Sequence, residues 1–289
     1  MERDYAIAVL QREARRVLAL AGGTADSEAL GRPVPCCPGW SLADVVKHLG
    51  NVYNWAGTVV EGRLAQPPSG DAIPRRPEDM SAPEWMSDRL DRLVSVLAEV
   101  PGDVDLWTFS SAEPTPAFWW RRQAHETLIH RVDAEAASDV AITPVEPGLA
   151  ADNIDELFEV HSFNEEHDDG SPATPSSHDR AGTGEADVAV PGQAEGDSAR
   201  ARDSADEQGA GATREPASIH LHASDLEDAE WTIDTRSRSI SRRHAKADVA
   251  LRGPAWALAR WCWGRPVFDE LEGFGDLDAG ETWRKSVVF

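Results

Sequence analysis

The chain has 289 residues, enough for one large domain or two of ordinary size. Its hydrophobic content of 41% and its 11 tryptophans can fill a core, which excludes a wholly disordered or fibrous protein. Acidic residues outnumber basic ones by 51 to 28, and the net charge of −23 would repel a nucleic-acid backbone. We therefore expect a folded protein that does not bind nucleic acid.

Neither a membrane span nor a disulfide framework is predicted. The apolar runs are far shorter than the roughly 20 residues that a membrane helix needs, and charges interrupt residues 1–16, where a signal peptide would be apolar. Cys36, Cys37 and Cys262 form no CxxC pair and are expected to be reduced thiols. These features favour a cytoplasmic protein that does not contact membranes.

Residues 164–216 have the composition of a linker. They contain 13 acidic and 4 basic residues and no Leu, Ile, Met, Phe, Tyr, Trp or Cys. Such a segment cannot bury enough apolar surface to offset the entropy lost on ordering. We predict a disordered acidic linker at 164–216, between an N-terminal domain at 1–163 and a C-terminal domain at 217–289.

In the N-terminal domain, apolar residues recur with the 3.6-residue period of a helix. The periodic segments cover about residues 4–21, 41–59, 81–100 and 117–137, with a shorter fifth segment at 150–161. Ser41 and Ser81 each stand three residues before an acidic residue, which is the pattern of a capping box at a helix start. The simplest architecture is an antiparallel helical bundle.

After the linker the apolar period changes to two, which is typical of strands. Residues 219–223 alternate, Trp231 and Ile233 continue the pattern, and residues 247–251 form a further candidate strand before a Trp-rich helix. We predict a small α+β domain, so that the whole chain is a multidomain α and α+β protein. His220 and His222 fall on the polar face of the first strand and are not predicted to be ligands.

Three side chains of the bundle could share a metal ion. His48 lies on the apolar stripe of the second helix and should be buried, while Glu126 and His130 are i,i+4 neighbours on the fourth helix. Inward ligands on facing helices are the usual way in which bundles build metal sites. Two imidazoles and one carboxylate suit a borderline divalent ion such as Zn²⁺ and leave a coordination position open.

Two simpler interpretations of these residues stay open. An inward histidine is often a hydrogen-bonded core residue, and a Glu-x-x-x-His pair often lies on a helix surface. His125 adds a resemblance to a zinc-protease signature, but His125 and His130 are five residues apart and point about 140° apart on a regular helix. We expect His125 to face the bundle rim or solvent.

Several motifs resemble those of one family. Residues 35–50, PCCPGWSLADVVKHLG, resemble its signature CPGW-x-x-x-D-x-x-x-HLG, and residues 120–134, WRRQAHETLIHRVDA, resemble its signature AHE-x-x-x-HR-x-D. Residues 152–157 are similar to its fifth-helix motif, and residues 247–254 with 263–265 are similar to its C-terminal domain. The chain is thereby identified as a member of the mycothiol-dependent maleylpyruvate isomerase family, a branch of the DinB-like metal-binding bundles.

This resemblance implies a DinB-like up-and-down four-helix bundle in which His48, Glu126 and His130 bind a divalent metal, usually zinc. It also implies mycothiol as the thiol cosubstrate and a small electrophile as the substrate. Metal lowers the pKa of a thiol, and the resulting thiolate would attack the electrophile. The outcome would be either isomerisation of a cis double bond or S-transfer, in which the thiol stays attached as a thioether.

The sequence assigns neither a substrate-binding nor a catalytic side chain. Arg121, Arg122, Arg252 and Arg265 are candidates for contacts to an anion or to the thiol, although Arg121 and Arg122 are expected to be solvated at the bundle rim. Cys37 is expected to be a small buried residue at the entrance of the second helix. Two other functions stay open: a different thiol-dependent or hydrolytic reaction at the same metal, and a non-catalytic binding protein that uses the acidic linker.

Overall fold

The structure, a computed structural model, describes residues 1–22, 27–110, 112–160, 216–237 and 239–286. Apart from Pro216, the predicted acidic linker lies outside these residues. Within the described ranges, no helix is long and apolar enough to cross a membrane.

The N-terminal half is helical, as the apolar period predicts. Its helices are α1 (Arg3–Leu20), the short α2 (Ser27–Leu30), α3 (Leu42–Glu61), α4 (Ala82–Glu99), α5 (Pro116–Ala137) and α6 (Pro147–Val160). Side chains from α1, α3, α4 and α5 share one apolar core, which includes Leu10, Leu49, Met86, Leu93 and Trp119. The up-and-down order of these four helices stays a prediction.

Both predicted capping boxes are present. Ser41 and Ser81 each accept a hydrogen bond from the backbone N–H three residues on, and the carboxylates of Asp44 and Glu84 accept one in return from the serine backbone N–H. These pairs satisfy backbone donors that the first turn leaves without a helical partner, and they fix where α3 and α4 begin.

The C-terminal half is a five-stranded sheet with helices. Its strands are β1 (Ser218–Ala223), β2 (Glu230–Asp234), β3 (Ser239–Ser241), β4 (Val249–Gly253) and β5 (Glu272–Gly275), in the order β3-β2-β1-β4-β5. β1 and β4 are parallel and the other pairs are antiparallel. Helices α7 (Ala255–Cys262) and α8 (Leu277–Ser286) complete this α+β region, which agrees with the predicted class.

Helix α6 connects the two halves. Its apolar residues belong to one core with residues of α1, α5, α7 and the sheet. On the C-terminal side, Asn153 accepts a hydrogen bond from the indole of Trp263 (2.8 Å), and Asp155 accepts one from the indole of Trp231 (2.7 Å). The face of α5 that α6 covers is therefore buried, and the C-terminal half is held against the helical half.

One backbone position at the end of β5 requires glycine. Gly275 has a φ of 84°, and a Cβ there would lie 2.0 Å from the carbonyl oxygen of Asp248. We expect Gly275→Ala to lower the free energy of unfolding by about 1–3 kcal/mol or more. The range is that for a strained backbone residue, and the close contact with Asp248 adds to it. Chemical denaturation measures this.

The matched control is Gly148→Ala, because a Cβ at Gly148 meets nothing within 4 Å and the residue lies in the first turn of α6. This control should leave stability unchanged or slightly increased. Equal effects of the two substitutions would contradict the strain argument.

Candidate metal centre

The structure brings His48, Glu126 and His130 together, as predicted. Oε1 of Glu126 lies 2.8 Å from Nε2 of His48 and 3.3 Å from Nε2 of His130. One potential ligand atom from each residue lies within 4.8 Å of the others. Helix α3 supplies His48, and one face of α5 supplies the other two.

His48, Glu126 and His130, called the trio below, are buried at one end and open at the other. Glu126 and His130 are buried, whereas the side chain of His48 is 29% exposed. His48 is therefore only partly buried, whereas the sequence analysis expected it to be buried. A helical stripe gives the direction of a side chain but not how far the neighbouring elements cover it. The exposed edge gives small molecules a route to the trio.

The ring of His130 is oriented by a chain of polar contacts. Its Nδ1–H donates to Oδ2 of Asp133 at 2.8 Å, so that Nε2 faces the trio. Asp133 accepts two further hydrogen bonds from the Arg265 guanidinium, at 3.0 Å and 2.8 Å. A carboxylate that holds the second nitrogen of a histidine is the usual support of a metal-ligating imidazole.

Trp40 covers the two imidazoles. Its ring stacks on His130, with centroids 5.9 Å apart and planes inclined by 9°, and its centroid is 5.3 Å from that of His48. An indole in this position limits the freedom of both rings.

Glu126 is held by the opposite charge of Arg122. The Arg122 guanidinium donates to Oε2 of Glu126, which leaves Oε1 directed at the two histidines. The same guanidinium donates to both oxygens of Glu156, at 2.9 Å and 3.1 Å. Burial opposes the charge of Glu126, but Arg122 and His130 hold its pKa well below the usual range, so it is a carboxylate.

The surroundings of the trio favour an added positive charge. Burial opposes the protonation of His130, yet hydrogen bonds to Asp133 and Glu126 raise its pKa to about 9. Burial lowers the pKa of His48, against the effect of its hydrogen bond to Glu126. The residues around the trio include three carboxylates and two guanidiniums, so one further positive charge, such as the proton on His130, balances them.

The donor set fits a divalent metal such as zinc. Zinc binds His nitrogens and carboxylate oxygens at about 2.0–2.2 Å, which places tetrahedral ligand atoms roughly 3.4 Å apart. The contacts of 2.8 Å and 3.3 Å from Glu126 need only small adjustments to reach that spacing. With three protein ligands, one coordination position stays open.

All four candidate arginines form ion pairs with carboxylates. Arg121 pairs with Asp152 (3.1 Å) and Glu159 (2.5 Å), and Arg252 pairs with Glu272 (3.3 Å) at the exposed side of the sheet. Arg122 and Arg265 lie next to the trio, but their guanidiniums are bound to Glu126, Glu156 and Asp133.

Two expectations about α5 were wrong. His125 is fully buried, and its Nε2 is 2.7 Å from Oδ2 of Asp152. Arg122 is also buried rather than solvated. The reason is the same for both: α6 packs over this face of α5 and supplies Asp152 and Glu156 as their partners.

The supporting roles of several residues at the site were not predicted from the sequence, and Arg265 was a candidate only for contacts to an anion or to the thiol. The i,i+3 spacing of His130 and Asp133 is a local signal that could have indicated their hydrogen bond. Trp40, Glu156 and Arg265 give no such signal, because each reaches the site through tertiary contacts.

Two thiols, those of Cys36 and Cys37, lie near Asp133. Cys37 is buried at the entrance of α3, as expected, and lies 3.8 Å from the Arg265 guanidinium. Cys36 donates its S–H to Oδ1 of Asp133 at 3.2 Å. The interaction with Cys37, burial and Asp133 all raise the pKa of Cys36, so this thiol stays protonated.

Comparison with known proteins agrees with this architecture. Two solved structures match with 10% identity, each match covering 94% of this chain and 93% of the other. They are a mycothiol-dependent maleylpyruvate isomerase, with a TM-score of 0.54, and a variant of such an isomerase in which a histidine is replaced by alanine, with a TM-score of 0.52. At this identity the likeness establishes the fold alone. No curated protein sequence matches significantly.

Two family models match consecutive parts of the chain. The mycothiol maleylpyruvate isomerase N-terminal domain matches residues 10–135, which contain the trio, and the corresponding C-terminal domain matches residues 148–282. The second match includes α6, which the sequence analysis placed with the helical domain. Because the two models together cover most of the chain in the expected order, the protein belongs to the mycothiol-dependent maleylpyruvate isomerase family, a family of enzymes.

Proposed function

We propose that this protein is a metal-dependent enzyme that uses mycothiol to isomerise a maleylpyruvate-like substrate from cis to trans. The observation that carries the proposal is the trio of His48, Glu126 and His130, whose ligand atoms lie within 4.8 Å of one another, with Asp133 and Arg122 orienting His130 and Glu126. The family match, which names both mycothiol and maleylpyruvate, supports the same substrate class.

His48, Glu126 and His130 would hold the metal, and zinc is the ion that best suits this donor set. When bound, the metal supplies positive charge that lowers the pKa of a nearby thiol and so makes a thiolate available at neutral pH. The isomerisation itself needs no net change of protons. A thiolate adds to one carbon of the cis double bond, the resulting single bond rotates, and loss of the same thiolate restores the double bond as trans.

The residues of this chain prepare the site for that chemistry. Asp133 fixes the ring of His130, and Arg122 fixes the carboxylate of Glu126, so neither ligand must reorganise during turnover. Trp40 excludes water from one side of the two imidazoles. With neutral histidines and a bound dication, the cluster would carry a net positive charge, which complements an anionic thiolate or carboxylate.

The test is turnover of maleylpyruvate by the purified full-length protein. We expect turnover with mycothiol and little turnover without a thiol. Removal of metal with a chelator should lower the rate by more than about 100-fold, because metal-ion catalysis contributes several kcal/mol. Addition of zinc should restore the rate.

Product analysis by mass spectrometry separates isomerisation from S-transfer. A trans product of unchanged mass supports isomerisation, whereas a product that retains mycothiol would show S-transfer at the same site. Turnover that is unaffected by both mycothiol and the chelator would contradict the proposal.

A further inference from the structure

A second group of potential metal ligands lies on the sheet, away from the trio. It consists of His220 and His222 on β1, Glu230 on β2 and His244 in the segment after β3, and is called the histidine cluster below. Successive side chains of a strand point to opposite faces. Because Ile219 and Leu221 point into the core that contains α7, the two histidines of β1 point to the other face.

The cluster is organised around one carboxylate. Oε2 of Glu230 lies 3.1 Å from Nε2 of His220 and 2.6 Å from Nδ1 of His244. Its other oxygen, Oε1, lies 2.8 Å from Nδ1 of His222. His220, Glu230 and His244 each offer a ligand atom within 4.8 Å of the others, as the three residues of the trio do.

Sheet topology explains how these residues meet. The antiparallel register places His222 directly opposite Glu230, and His220 is the next residue of β1 on the same face. Strand β3 then pairs with β2, so that the chain leaving β3 passes this face and contributes His244. The imidazoles of His220 and His244 meet edge to face, with centroids 4.9 Å apart.

Structural stabilisation alone is a weak explanation for three imidazoles around one carboxylate. The side chain of His244 is 76% exposed and that of His222 is 35% exposed. Polar pairs at such exposure contribute little to stability. A cavity of about 500 Å³ lies next to the cluster, lined by His222, Glu230 and the β1–β2 connection.

Several carboxylates lie near the cluster, although Arg243 and Lys246 flank His244 in the chain. Glu227 and Asp228, which are exposed in the β1–β2 connection, line the same cavity as Glu230. Arg252 lies opposite His222 in the register of β4, but its guanidinium donates to Glu272. A strongly acidic protein raises the concentration of cations near such a patch.

We infer that the histidine cluster is a second metal site, which binds one divalent transition-metal ion such as Zn²⁺ or Ni²⁺ through His220, Glu230 and His244. Imidazole and carboxylate donors together suit these borderline ions. His222 lies on the other oxygen of Glu230, where it orients the carboxylate. The inference stands apart from the proposed function, because the cluster shares no residue with the trio.

The experiment is calorimetric titration of the chelator-stripped full-length protein with Ni²⁺. We expect the wild type to bind two equivalents. His244→Ala should weaken the binding of one equivalent by at least about 10-fold. Loss of a residue that only contacts a metal ligand already lowers metal affinity by about 10–100-fold, and loss of a ligand itself should cost at least as much. Because His244 is exposed, this variant should fold normally, which circular dichroism checks.

Two further variants make the result specific. Lys246→Ala, an exposed neighbour in the same segment, should bind both equivalents as the wild type does. His130→Ala should lose the equivalent of the trio and keep that of the cluster. The inference is overturned if His244→Ala and Glu230→Gln bind Ni²⁺ like the wild type, or if the wild type binds a single equivalent that His130→Ala abolishes.

Discussion

Replacement of His130 by alanine should remove about one equivalent of metal per chain while leaving the helical content largely unchanged. His130 would supply one of the three proposed ligands, and its Nε2 lies 3.3 Å from Oε1 of Glu126. A site with two remaining ligands would keep its metal poorly through purification. Mass spectrometry of protein purified without added metal or chelator measures the metal content, and circular dichroism measures the helical content.

Two parallel variants complete this test. His48→Ala should lose the same equivalent, because it removes the proposed ligand on the facing helix. Lys47→Ala is the matched control: it changes an exposed residue one position away on α3 and should retain the metal. Unchanged metal content in both histidine variants would show that the trio is only a polar cluster of the bundle.

Replacement of Arg265 by methionine should destabilise the protein by about 3–5 kcal/mol, the cost of breaking a buried ion pair by removing one partner. Arg265 donates two hydrogen bonds to Asp133, and the side chains are 4% and 0% exposed. Without Arg265, Asp133 keeps its hydrogen bond to His130 but loses its guanidinium partner. Chemical denaturation with a linear extrapolation measures the free energy of unfolding.

The control for Arg265→Met is Arg252→Met, which breaks a pair in which both side chains are at least half exposed. Exposed pairs contribute about 0–1 kcal/mol, so this substitution should cost little. Adding Asp133→Asn to Arg265→Met should recover part of the lost stability, because the buried carboxylate that has lost its guanidinium partner is then replaced by a neutral amide. Equal costs for the two arginine substitutions would contradict the buried-pair explanation.

Arg265 also gives the C-terminal half a part in the candidate metal centre. It is 132 residues from Asp133 in the chain, yet it holds the carboxylate that orients His130. Loss of such outer partners lowers metal affinity by about 10–100-fold in other proteins. The C-terminal half therefore contributes to the site without supplying a residue of the trio.

The arrangement of the arginines constrains how the proposed anionic substrate would be recognised. Arg122 and Arg265 are close to the trio, but each is bound to carboxylates. A direct contact from either guanidinium to a substrate carboxylate would compete with those pairs. This favours recognition by the total charge of a metal-bound site over recognition by a free arginine.

Features that depend on local spacing could be predicted from the amino-acid sequence. The helical period located α1, α3, α4 and α5, and the capping boxes at Ser41 and Ser81 marked two helix starts. The i,i+4 spacing of Glu126 and His130 placed both on one face of a helix, because helical geometry fixes the direction of each side chain. The apolar stripe of α3 placed His48 on the side of the core residues, and the spaced motifs indicated the family.

The groups that surround those side chains depend on contacts between elements that are distant in the sequence. His125 and Arg122 are buried because α6 covers them, and a periodic pattern in α5 carries no information about a helix that packs there later. The pairing of Arg265 with Asp133, and the meeting of His244 with Glu230, follow from how separate elements fold back on one another. Burial, ion pairing and the pKa values that result are properties of these long-range contacts, which neither composition nor local periodicity encodes.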